Sequence, residues 1–232
     1  MIVVRSVVFN IFYFGSTALL MVPGLAIRLF APHHALALAI FWARMELAAA
    51  RLICGIHVHV SGQEYLPRDG AALIASRHES AFDTMVWLTL VPRACYVLKT
   101  ELMRIPLFGG LVRPSGMIPV DRDGGATAMR QLMRDGIRAV AEGRQIVIFP
   151  EGTRGHSGTL LTLHPGVAAL AFSTKLPVIP VWTNSGLLWG RRSFRKYPGT
   201  IAIQVLPPLP SGLKRGVLMT RLETALRDGS AS

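Results

Sequence analysis

No charged side chain occurs from Ser6 to Ile27, and Arg5 and Arg28 bracket that run. About 20 consecutive apolar residues are enough to cross a bilayer as a helix. The run therefore predicts a long apolar helix, with Pro23 and Gly24 expected to break it near its far end. A second apolar stretch, His33 to Ile56, carries Arg44 and Arg51 seven positions apart and so on one helical face. That is the pattern of an interfacial helix, apolar side in lipid and arginines toward headgroups. Residues 1–55 thus read as a two-helix membrane anchor, preceding a second unit over 56–232. A cleavable signal peptide is the rival reading. The apolar run exceeds the usual h-region of about 7–15 residues, and no strong cleavage site closes it.

After Gly55 the pattern changes. "IHVHVSG" alternates as a half-buried strand does, and short apolar runs recur at 71–76, 94–99, 116–120, 145–149, 177–182 and 200–205. Helical segments are expected between them at about 81–90, 101–104, 126–141 and 166–174, with a closing helix over 213–227. Strands alternating with helices predict an α/β fold with a largely parallel sheet flanked by helices. The tail "DGSAS" is expected to fray.

Composition narrows the partners. Of 232 residues, 51% are hydrophobic and 16% charged, against about 25% charged in an ordinary soluble domain. The net charge is +12. A greasy, basic chain suits an anionic membrane or an anionic substrate. Nucleic acid is not an expected partner. The basic residues are scattered, and the densest group, "RRSFRKYP" (191–198), is a single loop. Cys54 and Cys95 have no CxxC neighbour and sit in apolar runs, so they read as buried small hydrophobes in a reducing compartment. His57 and His59 share a strand face without a carboxylate or cysteine at ligand spacing, and no metal is expected.

The chemistry collects after the strands. "RHESAFD" follows 71–76, Lys99 ends 94–99, Asp121 and Arg122 follow 116–120, and "PEGTRG" follows 145–149. Ligands of open α/β sheets sit outside the carboxyl ends of the strands. If these four strands run parallel, one edge gathers His78, Asp83, Lys99, Arg122, Glu151 and Arg154: a base, an acid to orient it, and cations for an anionic substrate. Residues five apart on a helix do not face each other. His78 must therefore lie in the loop and Asp83 in the first helical turn, from where its carboxylate can reach back to the imidazole. A second reading of the same residues is a capping box, Ser80 answered by Asp83, with no chemistry. Ser80 as nucleophile lacks the G-x-S-x-G setting. Gly152 lets backbone N–H groups approach a ligand, and Arg154 can clamp a phosphate.

The blocks "HESAFD", "KTELMRIPLFG", "GMIPVDR", "FPEGTR" and "PVIPVW", in that order over Gly62–Thr183, resemble the glycerolipid acyltransferase family of lysophosphatidate acyltransferase type. The resemblance implies transfer of an acyl group from acyl-CoA or acyl carrier protein to the sn-2 hydroxyl of 1-acyl-glycerol 3-phosphate, forming phosphatidic acid. It implies His78 as general base with Asp83 as its partner, and Lys99 and Arg154 on the acceptor phosphate with Arg122 as a further candidate. Glu151, Gly152 and Thr153 belong to the same acceptor-binding block. No cofactor beyond the thioester co-substrate is implied. The expected partners are a lysophospholipid, an acyl thioester, an anionic membrane and acyl carrier protein. The expected location is the inner membrane, with the active site facing the cytoplasm. Arg77 and Glu79 depart from the family's usual neighbours of the histidine, adding a positive and a negative charge near the site. Alternatives are the same fold acting on glycerol 3-phosphate or a lyso-ornithine lipid, and a non-catalytic lipid-binding protein.

Overall fold

The seven apolar runs expected as strands all pair into one sheet. The computed structural model describes residues 1–159 and 161–229. In chain order the elements are α1 (Ile2–Phe30), α2 (Ala35–Ala49), β1 (Ile56–Ser61), β2 (Ala72–Ser76), α3 (Asp83–Leu90), β3 (Ala94–Lys99), α4 (Gly109–Val112) and β4 (Ile118–Val120). There follow α5 (Gly125–Ala141), β5 (Gln145–Ile148), α6 (Gly166–Thr174), β6 (Val178–Thr183), α7 (Ser185–Leu188), β7 (Gly199–Val205) and α8 (Arg215–Asp228). Of the tail expected to fray, residues 230–232 lie outside the described residues.

The sheet order is β1-β7-β6-β2-β5-β3-β4. From β6 to β4 all neighbours are parallel. The β6–β7 pair is antiparallel, and β1 lies parallel to β7 at the edge. The sheet is thus largely parallel, as the alternation of strands and helices predicts. Side chains along β2 alternate between two cores. Ala72 and Ile74 join Val147, Phe82 and Trp87 on one face, whereas Leu73 and Ala75 join Ile146, Leu132, Leu170 and Leu222 on the other. Helices α1, α2 and α3 cover the first face, and α5, α6 and α8 cover the second. Cys54 and Cys95 are buried and free, and His57 and His59 are exposed on the edge strand.

Pro23 does not break α1; the helix runs on to Phe30. The missing N–H costs a single backbone bond in a long helix, and packing holds the segment, with Gly24 set against Leu38 and Leu111. The second apolar stretch stops as α-helix at Ala49, continues as a wide turn over Ala50–Cys54, and closes at Gly55 with φ 72°, a left-handed cap that favours glycine.

Among the described residues α1 is the one helix long and apolar enough to cross a membrane. Both its ends nonetheless touch the α/β unit. Near its start, Phe9 packs edge-on to Trp189 at 5.0 Å. Lys196, buried in the 189–198 loop, donates from Nζ to Asn10 Oδ1 at 2.9 Å and to the Ser193 and Phe194 carbonyls. Its ammonium also lies over the Trp189 ring at 5.2 Å. Near its far end, Arg28 packs over Gly110. Removing the ammonium leaves the part-buried Asn10 Oδ1 and Ser193 carbonyl without their donor, while the Phe194 carbonyl keeps Asn10 Nδ2, and each unmet group costs about 1–3 kcal/mol. Lys196→Met is expected to destabilise the protein in detergent by about 2–3 kcal/mol and to speed proteolytic cutting within residues 1–13. Thermal unfolding and limited proteolysis check this; an unchanged melting temperature and cutting pattern would contradict it.

Candidate active site

The chain leaves β2 at Ser76, and Arg77 N–H still pairs with the Val181 carbonyl of β6 at 2.9 Å. Six residues after Arg77, α3 begins at Asp83. Between them the loop folds around one oxygen. Asp83 Oδ2 accepts the backbone N–H groups of Glu79 and Ser80, each at 2.8 Å, and contacts His78 Nδ1 at 3.0 Å. An ionised carboxylate can only accept. Nδ1 therefore carries the hydrogen, and the lone pair of the neutral ring sits on Nε2. Ser80 Oγ in turn accepts the Phe82 N–H at 3.1 Å. Only half of the capping box forms, the Ser80 N–H to Asp83 Oδ2 bond, because the helix starts later, with Phe82 at its N-cap; the His–Asp pair uses the same carboxylate. The imidazole stacks on Phe149 with centroids 4.1 Å apart and planes 18° from parallel.

Beneath this pair lies a buried charge cluster. Arg77 contacts Glu79 Oε1 at 2.8 Å and, at 4.0 Å, Glu151 Oε1. Glu79 also accepts N–H from Gly158 at 3.3 Å and from Gly186 at 3.0 Å, tying the 150–159 loop to α7. Gly155 N–H donates to the His78 carbonyl at 2.7 Å. One guanidinium thus faces two buried carboxyl groups, those of Glu79 and Glu151, with Asp83 close enough to repel Glu151. Burial pushes the Glu151 carboxyl up to about 8, with Glu79 and Asp83 adding repulsion, and Arg77 and the His78 backbone N–H opposing only in part. Burial also raises Glu79, against the pull of Arg77 and the two glycine N–H groups.

The remaining expected residues line up along the same edge. The strands β2, β5, β3 and β4 are consecutive neighbours and parallel, so the residues following them share one rim, about 14 Å wide at strand spacing. His78 stands at one end and the 150–154 loop next to it. Lys99, exposed, comes third, paired in register with Val120. Arg122 comes last. Arg122 Nη1 hydrogen-bonds the Gly152 carbonyl, so its guanidinium holds the neighbouring loop. Gly152 has φ 69° and lies under the His164 ring and Arg122, where a side chain would collide. Thr153 is exposed and Arg154 half-buried, while Glu151 is buried below the loop.

The family model described as Acyltransferase matches residues 57–184, more than half of the chain. The chain belongs to the acyltransferase family. A 1-acyl-sn-glycerol-3-phosphate acyltransferase of Pseudomonas aeruginosa is 33% identical over 168 residues, covering 72% of this chain and 65% of that protein. One of Limnanthes douglasii is 33% identical over 160 residues, covering 68% and 56%. The matched stretches therefore span between half and two thirds of these relatives' own lengths. The crystal structure of the 1-acyl-sn-glycerophosphate acyltransferase PlsC from Thermotoga maritima superposes with a TM-score of 0.78 at 21% identity, covering 100% of this chain and 97% of that one. At that identity the likeness is one of fold.

Sequence reasoning missed three parts of the site. Phe149 was legible as the residue that continues the β5 alternation onto the α3 face, but its stacking on His78 depends on β2 and β5 being neighbours. Arg77 and Glu79 read as two independent charges; they form one ion pair. Gly186 carries no local signal, and it is required because Glu79 fills the space its side chain would take.

The folded-state pKa of Glu151 lies above its ordinary value of 4.5 and near 8. Between those values the folded protein keeps a proton that the unfolded chain has released, so stability is greatest below the window and falls as pH rises through it. Glu151→Gln, neutral throughout, removes that fall. Between pH 5 and 8 the wild-type melting temperature is expected to drop further than that of the variant, as read by differential scanning calorimetry; parallel drops would contradict the assignment.

Proposed function

We propose that the protein is a membrane-associated O-acyltransferase that moves a fatty acyl group from a thioester, acyl-CoA or acyl carrier protein, to the sn-2 hydroxyl of 1-acyl-glycerol 3-phosphate. The observation that carries this reading is the 3.0 Å contact between His78 Nδ1 and Asp83 Oδ2 at the rim of the sheet. It leaves Nε2 as a base with its partner already hydrogen-bonded. The relatives' names supply the substrate class.

The step balances as follows. His78 Nε2 takes the proton from the acceptor hydroxyl while its oxygen attacks the thioester carbonyl. The tetrahedral intermediate collapses, the C–S bond breaks, and the departing sulfur takes the proton from the imidazolium. Asp83 stabilises that imidazolium through Nδ1–H. Neither a covalent enzyme intermediate nor a resident cofactor enters this sequence. The acceptor phosphate is only a few bonds from the reacting hydroxyl, which favours Arg154, on the loop beside His78, because the Arg122 guanidinium is taken up by the Gly152 carbonyl. Lys99, between them, adds long-range attraction. Arg122 acts through Gly152, shaping the loop with Glu151 and Thr153.

The apolar outward side of α1, including Val4, Ile11, Phe14, Leu19, Val22 and Leu29, is exposed. Because both ends of the helix rest on the α/β unit, this reading lays α1 and α2 along one leaflet, the cytoplasmic face of the inner membrane, with the rim open to lipid from the side. Mixed micelles of lysophosphatidate with labelled acyl-CoA, then with acyl carrier protein thioester, test it. Wild type is expected to form phosphatidate, and His78→Ala to lose about 10²–10⁴-fold in turnover. An active His78→Ala enzyme would refute the base, and no product with either donor would refute the reaction.

A further inference from the structure

The outer face of α5 carries charge that acyl transfer at the rim does not use. Arg130, Arg134 and Arg138 are spaced by four residues and exposed, so they form one stripe along the helix. Arg130 and Arg134 bond to neutral groups of their own helix, Thr127 Oγ1 and Gln131 Oε1, and among the described residues no ion pair involves either. The one acid of α5, Asp135, is buried and already held by Gln131 and Arg138. Ile137, 51% exposed, lies alongside the stripe near its lower end. At its lower end a cleft of about 280 Å³ opens between β4 and α5, lined by Arg113, Arg138 and Arg144, with Asp135 and Glu142 also on its wall. An exposed apolar side chain beside two arginines without an ion pair, and a third paired only with the buried Asp135, has the anatomy of a protein-binding surface for an acidic partner.

We propose that this face of α5 docks an acidic carrier protein that presents the acyl thioester to the rim. The proposal rests on the acyl-transfer reading above. Two observations fix the occupant. The stripe lies on the sheet face opposite to α1 and α2: Leu132 and Ala139 of α5 pack in one core, whereas Phe9 and Ala43 of the apolar hairpin pack in the other. With the hairpin in lipid, α5 faces water, so an anionic bilayer is the wrong partner for it. The three guanidinium groups are also spread along positions 130–138, about 12 Å of helix. That spacing suits the face of a protein rather than a single phosphate group. Helix α5 starts just beyond β4, at the rim, and Arg138 lies about 20 Å along it. A thioester on an extended arm bridges that distance.

The test compares wild type with the Arg130→Glu/Arg134→Glu double variant, two exposed positions outside the rim. Three readouts are taken: anisotropy of fluorescently labelled holo acyl carrier protein, turnover with the two donors, and sedimentation with phosphatidylglycerol vesicles. The variant is expected to raise both the Kd for the carrier protein and the KM for its thioester at least about tenfold, near 1.4 kcal/mol, with acyl-CoA kinetics and vesicle binding unchanged. Added salt should weaken wild-type carrier binding and narrow the gap. Equal carrier binding by the two proteins, or no carrier binding by wild type, overturns the proposal. So does a loss confined to the vesicles, which would assign the stripe to lipid. Failure of wild type with acyl-CoA as well as with the carrier thioester would instead sink the acyl-transfer reading itself.

Discussion

One oxygen, Asp83 Oδ2, receives three hydrogens within a loop of six residues: two from the backbone of Glu79 and Ser80 and one from the His78 ring. The backbone bonds satisfy two loop N–H groups that would otherwise be unpaired in a buried turn ahead of α3. The ring bond fixes which nitrogen is basic. Because the same atom serves both purposes, the helix start and the imidazole cannot be positioned independently. Phe149, from the neighbouring strand, closes the remaining freedom by stacking on the ring. The order β2-β5 in the sheet is thus a condition of the site as well as of the core.

The cluster below this loop works by charge. Two carboxyl groups share Arg77 in a buried volume beside Asp83, and Glu79 takes two backbone N–H groups in addition to the guanidinium. Glu151, with less help, holds its proton to about 8. The result is a rigid floor that links the His78 loop, the 150–159 loop and α7. Buried ionic groups of this kind stabilise weakly, and their main effect is to fix geometry.

Much of this was legible in the sequence because two short-range rules were enough. Alternating apolar runs gave seven strands, and the carboxyl-end rule gathered His78, Lys99, Arg122 and the 150–154 loop on one rim. The spacing of His78 and Asp83 required a loop followed by a helical turn, as found. What was not legible depends on contacts between distant segments. The hold of Lys196 on Asn10 spans 186 positions, that of Glu79 on Gly186 spans 107, and neither has a local pattern. Pro23 misled because a local rule, that proline ends helices, lost to packing of Gly24 against Leu38 and Leu111.

The central claim is that Asp83 holds His78 as the Nδ1–H tautomer, with Nε2 free to accept a proton. Nitrogen-15 NMR of the imidazole, in protein labelled at histidine and solubilised in detergent at a pH where the ring is neutral, reads this directly. The account predicts a His78 signal protonated at Nδ1 with a downfield, hydrogen-bonded proton that is lost in Asp83→Asn. A neutral ring protonated at Nε2 in the wild type, or one unaffected by Asp83→Asn, would contradict it.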